Sequence, residues 1–126
     1  MVTYKYIEDY FEDDPEAEVF CKKRNIVYFK PTKERKRWLK KWLKTADLPT
    51  IECNPNVVCY WRYFGTWGMY HPGDNSISIC PYRIENAGGL EEVIRHEITH
   101  LQHPEANEMP HEEKEKYIED LDDRKS

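Results

Sequence analysis

The sequence predicts an α+β domain, and three observations carry that prediction. From Lys33 to Ala46, the residues Trp38, Leu39, Trp42, Leu43 and Ala46 recur at helical spacing, one apolar stripe of an amphipathic helix. Leu90, Val93, Ile94 and Leu101 form a second stripe of the same kind. Between them, Val57 to Phe64 is β-branched and aromatic, and Ser76-Ile77-Ser78-Ile79-Cys80 alternates polar with apolar, the pattern of a half-buried strand. At 126 residues the chain has the length of one domain.

In chain order, residues 1–16 are acidic and aromatic and read as a loosely docked arm, with residues 17–126 forming the domain. Glu18 to Cys21 and Asn25 to Phe29 read as two short strands around Lys23-Arg24. Pro31 and Thr32 suit the start of the first amphipathic helix, Thr32 as its cap. Pro49 and Asn54-Pro55-Asn56 punctuate the next stretch. Val57 to Phe64 is then a strand. Gly65 and Gly68 permit a tight turn or bulge before a shorter strand, Trp67 to Tyr70. Pro72-Gly73-Asp74-Asn75 is a turn, and Pro81 ends the alternating strand. Gly88-Gly89 precedes a helix that runs to about Gln102, where His103-Pro104 closes it, because the residue before proline avoids the helical region. Pro110 opens a last helix, His111 to about Asp123.

The chemistry concentrates in His96-Glu97-Ile98-Thr99-His100. On a helix, residues four apart share a face, so both imidazoles can reach one ion, and Glu97 projects beside them. Zinc held by two histidines keeps a position open for water, and the glutamate takes that water's proton. The alternative is a solvated helix with two surface histidines.

Composition narrows the function classes. The net charge of −5 gives no general reason to expect nucleic-acid binding. Lys33 to Lys44 is strongly basic, and Arg35, Arg37, Lys40 and Lys41 suggest a nucleic-acid face, but the acidic ends of the chain would repel phosphates. No apolar run reaches membrane-spanning length and no signal peptide is visible, so the expected location is cytoplasmic. Cys21, Cys53, Cys59 and Cys80 include no Cys-x-x-Cys pair, which argues against a zinc ribbon and for buried thiols.

The order of these parts resembles the minimal zincin metallopeptidases. From about Val57 to Tyr117 the chain looks most like the SprT-like zincins, through Gly68-Met69-Tyr70, Ile77-Ser78-Ile79, His96 to His100, and His111. Glu115 stands where the SprT-like pattern usually has an aromatic residue. The minigluzincins share the scaffold and use a glutamate on the last helix as third ligand. The resemblance implies a backing helix, a small twisted and mostly antiparallel sheet, the zinc helix and a C-terminal helix. It also implies zinc-dependent hydrolysis of peptides or unfolded proteins, with an edge strand, here Gly65 to Tyr70, pairing with extended substrate.

The third zinc ligand has several candidates. His111 follows a loop long enough to swing back over His96 and His100, which favours it. Glu119 is the alternative, with Asp123 on the same helical face to buttress a ligand histidine. Glu105, Glu112, Glu113 and Glu115 are further carboxylates, and His103 points away by its place in the turn. Glu97 is the expected general base. Tyr70, His71, Tyr82 and Tyr117 are candidate oxyanion donors, with ordinary packing the alternative for each. Competing functions are a zinc hydrolase of a non-peptide bond and an inactive zincin-like regulatory domain; retention of Glu97 argues against lost activity. In the acidic arm, Asp13, Asp14 or Glu16 offers a carboxylate that would plug the open metal position, against the plainer reading of a solubilising tail.

Overall fold

The computed structural model describes residues 1–6 and 15–121. Four strands, β1 (Val2–Tyr6), β2 (Val57–Trp61), β3 (Gly68–His71) and β4 (Ser76–Ile79), form a mixed sheet in the order β1-β2-β4-β3. The described helices are α1 (Pro15–Lys23), α2 (Lys33–Thr45), α3 (Leu90–Gln102) and α4 (His111–Leu121). Short 3-10 turns cover Ile84–Ala87 and Pro104–Glu108. The class is α+β, as the sequence predicts.

Strand register decides which side chains become core. One row aligns Tyr4, Cys59, Ile77 and Tyr70, and the next aligns Tyr6, Trp61, Ile79 and Gly68. Since side chains alternate along a strand, these rows share a face. Both α2 and α3 pack on that face. Trp42 of α2 meets Trp61 edge to face at 5.2 Å, and Leu39 beside it is fully buried. Val93, Ile94 and Ile98 of α3 join the same core. The opposite face carries Thr3, Lys5, Tyr60, Met69 and His71. Ser76 and Ser78 also lie there, yet they are buried because β4 is central and neighbours shield it; Ser78 Oγ sits 2.8 Å from His71 Nε2.

Three expectations are corrected. The sheet is not mostly antiparallel: β1 with β2 and β2 with β4 are parallel, and only β3 with β4 is antiparallel. A parallel pair needs a long crossover, which α1 and α2 supply between β1 and β2. The second correction concerns the arm, since Val2–Tyr6 is a sheet strand. Val2 is buried, and Tyr4 stacks on Trp61 with ring centroids 5.3 Å apart and 12° between planes. The acidic residues Glu8, Asp9, Glu12, Asp13 and Asp14 lie outside the described residues, as do Asp123 and the predicted end of the last helix. Third, Glu18 to Cys21 is helical. Pro15 occupies the first position of α1, Glu16 and Glu18 the first turn, and Lys22 and Lys23 the last, charges that oppose the helix dipole favourably. Of the second predicted strand, Phe29 forms one isolated bridge to Gly65.

Candidate metal centre

The apolar stripe of α3 fixes how its polar side chains point. Val93, Ile94 and Ile98 face the core, so His96, Glu97 and His100 are carried to the side of the helix next to β3 and α4. His100 is 1% exposed and Glu97 is 6% exposed. The two imidazoles approach with Nε2 atoms 3.3 Å apart. Tyr70 of β3 stacks flat on His100, centroids 4.3 Å apart and planes within 6°, which fixes the ring's tilt.

Edge strand and helix come close because position 68 has no side chain. A Cβ on Gly68 would lie 2.8 Å from Val93 Cγ1 and 2.9 Å from Glu97 Cγ, closer than such atoms pack. The glycine serves close approach here, bringing the rim of the sheet onto the Glu97 carboxyl.

α4 completes the group. Glu115 Oε2 lies 2.8 Å from His96 Nε2, and Oε1 lies 3.2 Å from His100 Nε2. Donor atoms of His96, His100 and Glu115 all fall within 4.8 Å of one another, the one such cluster of metal-ligating side chains among the described residues. The side chain that α4 brings level with His96 and His100 is thus Glu115, one of the further carboxylates of the sequence reading. His111 and Glu119 line the same cleft but stand outside the group. The reason is helical: His111, Glu115 and Glu119 lie one turn apart on one face of α4, and the turn at Pro104–Glu108 sets which of them is level with His96 and His100. His111 instead meets the Phe20 ring of α1 edge to face, centroids 6.3 Å apart. His103 turns away, pairing with Glu105 Oε1 at 2.9 Å, which also accepts the Tyr117 hydroxyl at 3.0 Å. Of the expected oxyanion donors, Tyr70 lines the cleft. Tyr82 packs against Phe29 and Trp38, and His71 faces Ser78 on the outer side of the sheet.

The two carboxyls of the site are tuned in opposite directions. Burial pushes Glu97 up to about 7, against the nearby His96, which lowers it. Burial also acts on Glu115, but hydrogen bonds with His100 and His96 outweigh it and hold this carboxyl far below the usual carboxylate range. His96 is likewise desolvated, and its hydrogen bond to Glu115, with Glu97 nearby, turns the balance and raises it.

A divalent ion fits this arrangement. The donor set is two imidazole nitrogens and one carboxylate, the borderline ligands that zinc prefers. Glu97 Oε2 is buried with no hydrogen-bond partner among the described residues, as is His100 Nδ1. Such an oxygen is costly unless a further group supplies a donor. Glu97 stands beside the three side chains that could hold an ion.

The site opens into a cleft of about 690 Å³ between β3, α3, α4 and α1. No helix among the described residues is long and apolar enough to cross a membrane. Comparison of the chain with protein-family models, curated proteins and solved structures finds no match.

Proposed function

We propose that this chain is a zinc metallopeptidase with a minimal zincin arrangement, in which His96, His100 and Glu115 hold the metal and Glu97 is the general base. The observation that carries the reading is the buried, unpartnered Glu97 Oε2 beside three converging ligand side chains. A glutamate on the last helix supports the minigluzincin arrangement over the SprT-like one. Bound there, zinc supplies Lewis acidity, polarising a carbonyl and easing the loss of a proton from water.

The chain's own residues do the rest. Glu97, raised towards neutrality, takes a proton from the attacking water and returns it to the leaving amine as the C–N bond breaks. Its burial keeps bulk water from competing for that proton. Tyr70 holds the His100 ring by stacking. β3 is an edge strand whose outer side pairs with no strand among the described residues, so an extended peptide can add to it through main-chain hydrogen bonds with little demand on sequence. That geometry suits peptides and unfolded protein.

The test separates binding from chemistry. Glu97→Gln is expected to keep zinc and fold, while casein hydrolysis falls by at least about the 10²-fold typical of losing a general base. Metal analysis should find close to one zinc per chain in both proteins. Metal-free wild type that cannot take up zinc, or equal activity in the two proteins, overturns the reading.

A further inference from the structure

Several apolar side chains of this protein are left wet by folding, and some of them line the cleft. Phe20 is 46% exposed and Val27 is 42% exposed, whereas the aromatic and aliphatic residues of the core are almost fully covered. Both belong to the wall contributed by α1 and the segment after it, together with Ile26. The same cavity reaches His96, Glu97 and Glu115, so this wall is continuous with the candidate metal centre.

Phe20 is held in place although it is exposed. The Arg24 guanidinium sits 3.6 Å from its ring centroid, and Arg24 Nη1 donates to the Phe20 carbonyl at 3.2 Å. His111 meets the ring edge to face. A fixed apolar surface loses little entropy on binding, and each Å² of it that an occupant removes from water contributes about 25 cal/mol. Glu16, Glu92, Lys114 and Glu119 line the cavity too, so charge of both signs borders the apolar wall.

Resting on the peptidase reading, we infer that Phe20, Ile26 and Val27 form a specificity pocket that receives one large apolar side chain of a peptide lying along β3. A peptide added to an edge strand presents alternate side chains to the same side, so one residue in two can reach this wall. The substrate class follows: extended segments with Leu, Ile, Met or Phe at that position. In folded proteins such segments are buried, so the pocket selects unfolded or partly unfolded chains.

The experiment reads binding, independently of turnover. Zinc-loaded Glu97→Gln protein is titrated against two short fluorescent peptides that differ only in a central Leu or a central Ala, with fluorescence anisotropy as the signal. The Leu peptide should bind at least about tenfold more tightly, the scale of a side chain filling an apolar pocket. Phe20→Ala and Val27→Ala, made in the same background, should each shrink that ratio while leaving zinc content and the thermal melt unchanged, since both side chains are partly exposed. Equal affinity for the two peptides, no binding of either, or a ratio unmoved by both substitutions overturns the pocket. A Leu preference in a protein whose wild type cleaves neither peptide leaves the pocket standing and sinks the peptidase reading. Cleavage without any Leu preference does the reverse.

Discussion

At the level of single residues, the site rests on two carboxyls that differ in surroundings more than in chemistry. Glu97 is buried and raised to about 7, and Glu115 is tied to two imidazoles and held ionised. Environments that push two acids apart divide labour between them, one fit to move a proton and one fit to stay charged on a cation. Glu115→Ala is therefore expected to weaken zinc retention by about 10–100-fold or more, the loss usual for damage at a metal site, while His111→Ala leaves it nearly unchanged. Competition with a chromogenic chelator measures both; the opposite ranking would restore His111 as the ligand. Gly68 acts by what it lacks. In Gly68→Ala the new methyl meets Val93 and Glu97, so either the strand withdraws or the carboxyl is displaced. Peptide hydrolysis should drop about 10²-fold, as for a roughly 1 Å misplacement of a catalytic group, with zinc retained. Unchanged kcat/KM would show that the contact relaxes without moving Glu97.

At the level of elements, α2 and α4 illustrate two kinds of local information. The start of α2 was legible in the sequence: Thr32 caps it by accepting from the Arg35 amide at 3.1 Å, and the stripe of Trp38, Leu39 and Trp42 meets the sheet as the spacing predicts. Thr32→Ala should cost about 1 kcal/mol of stability in a urea melt, without altering zinc affinity. α4 was legible as a helix but not in its depth along the cleft. His111 and Glu119 bracket the residue that reaches His96 and His100, each one turn away, or about 5.4 Å along the axis. A zinc–ligand bond of about 2 Å tolerates no such slip. Part of α1 reads as strand in the sequence because Val19, Phe20 and Cys21 form a short apolar run, and such runs do not declare their period.

For the whole molecule, β1 matters most among the unforeseen features. Its alternation of Val2, Tyr4 and Tyr6 is a strand pattern, hidden beside a run of acidic residues. In the fold it covers one edge of β2 and lays Tyr4 on Trp61, which also meets Trp42 of the backing helix. Removing residues 1–6 should therefore lower unfolding stability by at least about 2 kcal/mol, on the burial of Val2 and Tyr4 alone, and leave β2 as an open edge prone to association. Urea melts and light scattering test this. A truncated protein as stable and monodisperse as the full chain would mean that β1 adds little to the core.

The sequence by itself determined the class of the fold, the place of the two amphipathic helices, and the pairing of His96 with His100 beside Glu97, because each depends on spacing within one continuous segment. Tertiary structure decided the parallel docking of β1, the helical state of Glu18 to Cys21 in α1, and which carboxylate of α4, Glu115, is brought within reach of His96 and His100. Each of those depends on where separate segments meet, and a shift of one helical turn or one strand neighbour leaves the local pattern of residues unchanged while moving the chemistry by several ångströms.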